Sequence, residues 1–501
     1  LNGLSGPYTQ ILIDGRPTFS ALSGVYGLEQ LPSSMIERVE VVRGGGSSMY
    51  GGNAIAGTVN LITKELATDE WEVRSQTTLL GMRAPDQVIQ GHAAWVDGSS
   101  GFQLWSSVRS REPFNANPDA LYDRDGGGVA ETKDDFSEIT KLRSAALGGR
   151  YWYRPNANSR LQFEGRGLYE FRRGGNRFDY KAHEADIAEQ LIHRVGGVNG
   201  QYEWMSKDGL QRWTVYGAAT FTNRESYYGA GGNSPDSATR ARAQLFYGDT
   251  QDEIANAGML YGWGPNEFHS FLIGLDYQYN HVQDVMPGYQ RNIDQTVSTP
   301  AILAQWKWNI NEFFTFQTGA RYDRPIISSS NAFGGEPVYL NTSTYDAVNP
   351  RVSILYKVRR NFRIRSSFAT GFRAPQAFDE DLHLSTLGGA ARIVRLSNNL
   401  QVERSNSWNL GLEWDHKVGI WEGRTTIDGF YTQLIQPFVD LPFTGALVEN
   451  GDTIALFDTK ANDPNGAFVS GVNIETEWVS PKWTLQAGWT LQRARYEEAI
   501  E

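Results

Sequence analysis

Beyond about residue 70 the chain returns again and again to one pattern, a run of side chains alternating between apolar and polar and closed by a turn. The clearest run sets Trp483, Leu485, Ala487, Trp489 and Leu491 against Thr484, Gln486, Gly488, Thr490 and Gln492. Leu161 and Phe163 alternate with Gln162, Glu164 and Arg166, and Trp213, Val215, Ala219 and Phe221 with Thr214, Tyr216 and Thr220. Successive side chains of a strand point to opposite faces, so each run is a ribbon with one apolar, aromatic face and one polar face. Two architectures accept such ribbons. A soluble sandwich turns the apolar face inward. A membrane barrel turns it outward to lipid and lines its lumen with the polar face.

Composition favours the barrel. Only 40 % of the 501 residues are apolar, and no uninterrupted apolar stretch reaches the roughly 18 residues of a membrane helix. Yet aromatics make up 12 %, with 15 Trp and 23 Tyr, a high share for so polar a chain. Alternate-residue contact with lipid and interfacial girdles of Trp and Tyr explain both facts together. The connections agree. Short turns are predicted at Asp97–Gly101, Pro155–Ser159, Ser206–Gly209, Gly264–Glu267, Asn309–Glu312, Val358–Asn361 and Pro481–Lys482. Long polar loops are predicted near 114–138, 174–192, 229–252, 284–296, 328–345, 376–403 and 436–465. Short turns on one side and long loops on the other is the pattern of outer-membrane barrels. Segments of about ten residues are expected, about seventeen of them to Glu501. Plugged barrels have about 22 strands and a lumen too wide for side chains to fill, so something else must close it.

The first 65 residues read differently. Ile11, Leu12 and Ile13 form a buried strand ending at the turn signal Asp14-Gly15. Ile36, Val39, Val41 and Val42 form a second apolar run, followed by Gly44–Gly46. Val59, Leu61 and Thr63 alternate with Asn60 and Ile62 as a final strand. The stretch Ile36–Lys64, with Tyr8–Pro17 and Leu31–Ile36 ahead of it, resembles the plug domain of TonB-dependent outer-membrane transporters, block by block and in the same order. The resemblance implies an all-β membrane protein: residues 1–65 the later part of an α+β plug, and 66–501 a large antiparallel transmembrane β-barrel, about 22 strands in the whole protein. Relative to that family the chain starts in mid-motif, and roughly five barrel strands would follow its end.

The resemblance also implies function. Such a protein, in the bacterial outer membrane, takes up a scarce metal chelate, a ferric siderophore or a cobalamin-like molecule, with energy delivered by the TonB complex pulling on the plug. Haem uptake is an alternative, as is uptake of a glycan or peptide with a surface lipoprotein; a passive porin fits less well, because it needs no plug. Outer-membrane lipid and lipopolysaccharide would surround the barrel. The net charge of −11 speaks against nucleic acid as a partner. No cysteine is present, which removes thiol catalysis and Cys-ligated zinc, and no catalytic set is expected.

Three constellations offer candidate sites. Phe19–Gly27 carries Phe19, Val25 and Tyr26 on a small-residue loop, which in the resembled family reaches outward to the ligand. Gly371–Pro375 (GFRAP) ends a strand, since Pro375 has no N–H. Gln376, Phe378 and His383 follow it, before Asn398–Leu400. In the haem branch of the family an FRAP box and an NPxL box flank a ligating histidine; here the second box lacks its proline and the first 65 residues hold no histidine. Asp123, Asp125, Glu131, Asp134 and Asp135 cluster around a glycine run, hard oxygen donors suited to calcium, although not at EF-hand spacing. No cofactor is otherwise expected. HEADIAEQLIH, His183–His193, is read as a short polar helix rather than a zinc motif, with Arg172, Arg173 and Arg177 available to an anion.

Overall fold

The computed structural model describes the chain except for residues 1–2, 5, 18–31, 119–120, 123–131, 134, 333–338, 376–390, 398, 450–451 and 497–501. Two units emerge, a small amino-terminal sheet and a large antiparallel barrel sheet whose inner face contacts it.

The small sheet has strands β1 (Thr9–Ile13), β2 (Arg16–Pro17), β3 (Ile36–Arg43) and β4 (Gly57–Thr63), in the order β2-β1-β4-β3. A four-residue helical turn, α1 (Ser47–Tyr50), lies between β3 and β4. β1 and β4 run parallel, with Ile11 opposite Val59, and β3 pairs antiparallel to β4. Asp14 and Gly15 close β1 onto β2 with positive φ at both positions, 48° and 77°, the two-residue turn whose twist matches its strands. Gly57 has φ of 129°, and a Cβ there would lie 2.0 Å from the Val42 carbonyl oxygen, so no other residue can start β4 so close to β3. Leu12, Ile13 and Leu61 are buried within this unit, whereas Val39 and Val41 on the edge strand β3 are exposed.

The barrel sheet begins at Glu70–Leu80 and ends at Thr484–Tyr496, each strand antiparallel to the next. Among the described residues the chain crosses the wall seventeen times, two crossings being bent. Phe314–Asp323 and Ile326–Ala332 both pair with the single strand Arg291–Asn309. Tyr339–Thr344 and Ala347–Arg359 pair back on them. Pro325 has no N–H for the ladder and sits at the first bend, while Arg324 N donates to Pro300 O at 3.1 Å to hold the pieces in line.

The alternation points where a membrane barrel requires. Phe163, Val215, Phe221, Leu275 and Leu410 are exposed on the outer face, and Ile273 is 51 % exposed. Glu164, Asp276, Arg321 and Asp323 face the lumen and are buried, Asp323 completely. Trp483, Leu485, Trp489 and Leu491 are exposed as well. The strands are longer than the ten residues expected. Ser137–Asn156 and Gln211–Ala230 have 20 residues each. The loop expected at 284–296 shrinks to the turn Pro287–Gln290, because Met286 and Arg291 are already paired. The loop expected at 174–192 holds one 3-10 turn, Ala182–Glu184; from Ile187 onward the proposed helix is strand. Polar hairpins keep pairing past the lipid because the ladder, not the solvent, satisfies their backbone groups.

On the long-loop side, Ala391–Leu396, Phe438–Glu449 and Asp452–Asn462 form a separate three-stranded sheet. Its Leu447 and Phe457 join a buried cluster with Leu191, Tyr227, Phe246, Met286, Tyr289 and Ile293 of the opposing hairpins. One end of the barrel is therefore partly roofed by its own loops.

Candidate functional site

The chemistry of this molecule lies where the amino-terminal sheet meets the lumen. Around the wall, side chains of the barrel reach into the small sheet, and side chains of the small sheet reach out.

The first contact is built on the Asp14-Gly15 turn. Asp14 Oδ1 accepts from Thr63 N at 2.9 Å and its Oδ2 from Thr63 Oγ1 at 2.6 Å, which fixes the carboxylate at the end of β4. Arg150 of the wall then bridges two acids, its Nη2 lying 2.9 Å from Asp14 Oδ2 and 2.6 Å from Glu164 Oε2. It also donates to Lys64 O at 3.3 Å and to Thr63 Oγ1. Arg150 and Glu164 face the same side because they are cross-strand partners.

The second contact is a relay. Arg16 lies over the Tyr216 ring, its guanidinium carbon 3.5 Å from the centroid, and donates to Gln201 Oε1 at 3.0 Å. Tyr216 Oη donates to Asp276 Oδ1 at 2.9 Å. Arg321 holds the other oxygen of Asp276 at 2.7 Å and Asp323 Oδ1 at 2.8 Å, and reaches Met49 O of α1 at 3.4 Å. Gln278 Nε2 donates to Tyr50 O at 3.3 Å. The ends of the small sheet and of α1 are thus tied to one run of buried charges.

The third contact involves the GFRAP segment. Phe372 is buried against Gly52, its carbonyl accepts from Asn53 N at 3.0 Å, and its N–H donates to Ser47 Oγ at 3.4 Å. Arg373 lies 5.2 Å from the Tyr8 ring and 3.8 Å from the buried Glu403. Burial, and then the Glu403 carboxylate, push the Tyr8 hydroxyl above its usual value, so it stays neutral at any physiological pH. On the β3 side the contact is wetter: Arg43 pairs with Asp428 at 3.5 Å and Glu475 at 3.3 Å, all partly exposed.

Among the residues singled out from sequence, Phe19, Val25, Tyr26, Gln376, Phe378 and His383 lie outside the described residues, as do Asp123, Asp125, Glu131 and Asp134. Asp135 accepts from Asn176 Nδ2 at 2.9 Å, and the same amide also serves Asp186 at 2.8 Å. Among the described residues no group of three or more acidic or histidine side chains is arranged to hold a metal. Arg173 and Arg177 donate to the carbonyls of Asn176, Arg177, Tyr180 and Glu184. Arg172 bonds Glu170 at 2.8 Å.

Sequence reasoning missed Arg150, Glu164, Asp276, Arg321 and Asp323. Their signal was a charged residue on the polar face of a mid-chain strand, as in Gly319–Asp323, where Arg321 and Asp323 straddle the outward Tyr322.

The chain matches two family models, TonB dependent receptor-like β-barrel over residues 103–499 and TonB-dependent receptor plug domain over residues 1–58. Curated relatives include the vitamin B12 transporter BtuB of Vibrio cholerae, 21 % identical over 391 residues that cover 76 % of this chain and 54 % of the relative. The chain thus spans about half the length of that relative. Solved structures of the same fold include the siderophore receptor PirA from Pseudomonas aeruginosa, with 15 % identity, 99 % of this chain and 79 % of that one covered, and a TM-score of 0.67. The ferric yersiniabactin uptake receptor FyuA from Yersinia pestis is similar at 14 % identity, with 99 % and 72 % covered and a TM-score of 0.69.

Proposed function

Because the chain belongs to the TonB-dependent receptor family, a family of transporters and receptors, we propose that it takes up a scarce metal chelate across the bacterial outer membrane. The ligand class is a ferric siderophore or a cobalamin-like chelate, in keeping with what its relatives are named for. The observation that carries the reading is the separate sheet held in the lumen by the wall's Arg150, which pairs with Asp14, and by Arg321, which is fixed by Asp276 and Asp323 of the wall and donates to Met49 O. Such pairs hold tightly while their geometry is intact and lose most of their worth when one partner is displaced. A stopper closed in this way is quiet at rest and yields to a directed force. TonB at the periplasmic side would supply that force.

On this reading the ligand docks on the long-loop side. Phe19, Val25 and Tyr26 of the plug and Gln376, Phe378 and His383 beyond GFRAP are its contacts, and Asp123, Asp125, Glu131, Asp134 and Asp135 hold a calcium ion that orders their loop. Deleting the protein from its source cell and growing the cell on defined iron and cobalamin sources tests the function. Growth failing on one chelate, restored by the wild-type gene, is the expected result. Rescue by haem alone would move the ligand to haem, and unimpaired growth on every source would end the chelate reading. Loss of high-affinity binding in a Tyr26→Ala, His383→Ala protein checks the contacts separately.

A further inference from the structure

The outer face of the barrel carries an aromatic belt next to the short turns 264–268 and 310–313. Trp263 stacks on Phe271 at 5.5 Å between centroids, Phe271 lies parallel to Trp306 at 6.4 Å, and Trp306 stacks on Trp308 at 5.7 Å. These rings share one face because they are cross-strand partners: Trp263 with Phe271, Phe271 with Trp306, and His269 with Trp308. One row further from the turns the wall drops away. Tyr261 and Ile273 are followed there by Ala304 and Ala320, side chains too short to fill the step. The result is a recess of about 360 Å³, almost wholly apolar, walled by Trp263, Phe271, Ile273 and Trp306 and floored by Ala304 and Gly319. It is continuous with the exposed apolar surface at Leu275 and Ile302.

A polar group stands at its turn-side rim. Trp306 Nε1 donates to His269 Nδ1 at 3.3 Å, so the indole N–H that would ordinarily point to headgroups is already used. Nδ1 being an acceptor, the neutral imidazole carries its proton on Nε2, which has no partner among the described residues. We propose that this recess holds one acyl chain of a phospholipid from the periplasmic leaflet, with an ester or phosphate oxygen of that lipid accepting from His269 Nε2–H. The leaflet follows from the short turns, which face the periplasm in such barrels, so the proposal rests on the outer-membrane reading. Within lipid there is no hydrophobic gain in moving a chain from bulk to protein. The selectivity comes from contact: an unfilled step between rigid rings forfeits dispersion on every side, and a single flexible chain restores it.

The test is native mass spectrometry of the full chain extracted from outer-membrane fractions in mild detergent. The wild type is expected to retain one phospholipid per chain through detergent exchange. Ala304→Phe, which fills the step, should lose it; His269→Phe should cut retention several-fold; Ile302→Phe, outside the recess, should leave it unchanged. Where Ala304→Phe fails to give the heat-modifiable migration of a folded barrel, Thr318→Phe blocks the recess from the next strand. Equal retention in the filled variant, no retained lipid in the wild type, or retention of lipopolysaccharide instead would overturn the proposal. Absence of the protein from the outer-membrane fraction would sink the transporter reading itself, a different result from loss of the lipid alone.

Discussion

The small sheet and the barrel wall treat their side chains in opposite ways: β1 is buried on both faces, whereas the wall alternates residue by residue. In the small sheet Leu12 and Ile13 are buried and Glu37, Arg38 and Glu40 face water. In the wall Ile273 and Leu275 face outward and Arg321 and Asp323 are sealed inside. Each unit inverts the other because the lumen is where both place what the surroundings would reject. The wall cannot show its charges to hydrocarbon, so it offers them to the plug. The plug is too small to bury many ions on its own, so it borrows the wall to satisfy Asp14 and Arg16. The inserted state is therefore held by these polar contacts together with an apolar patch, where Ile55 of the plug is buried against Leu434 and Ala467 of the wall.

Substitutions can break that contrast in order of expected size. Arg321→Leu strands Asp276 and Asp323 as uncompensated buried acids and should cost about 4 kcal/mol. Urea unfolding of the plug within the intact barrel reads it, and a loss below about 1 kcal/mol would mean that the pair behaves as if solvated. Leu12→Ala empties a side chain that is fully buried and should cost about 3 kcal/mol in the same measurement, leaving the barrel untouched. Leu275 sharpens the comparison from the other unit. Leu275→Arg places a charge in lipid and should lower barrel stability by about 2 kcal/mol, whereas Leu275→Ala should change it by under about 0.5 kcal/mol because lipid takes the place of the lost methyls. Folding titrations in lipid vesicles check both. Equal effects of alanine at Leu12 and Leu275 would show that the two faces are not inverted.

How far the sequence spoke follows from the alternation of the wall. Periodicity carries orientation, so the outward rows at Phe163, Val215 and Leu491 were legible, as were the seventeen crossings and the Asp14-Gly15 turn. Strand length was not, because nothing in an alternating run marks where hydrocarbon stops and water begins. The turn Gly419-Ile420 also went unseen, having neither proline nor a polar cluster to announce it. Ion-pair partners were hidden more deeply: Asp14 and Arg150 are 136 residues apart, and only the register of the wall and the seating of the plug bring them together. The roof sheet had the same difficulty, since Ala391–Leu396 pairs in parallel with Ala455–Lys460 across a long stretch of chain. GFRAP was noticed for a ligand loop beyond it, yet its described residues form the socket for α1.

The 20-residue strands have a consequence for the height of the rim. At about 3.3 Å per residue and a tilt near 40° such a strand rises about 50 Å, roughly twice the height of a hydrocarbon band of about 25 Å. The wall is this tall along residues 137–309, whereas Glu70–Leu80 and Ser100–Arg111 have 11 and 12 residues. The rim of the cylinder is therefore oblique, raised on the side of the long hairpins and low beside the first three wall strands.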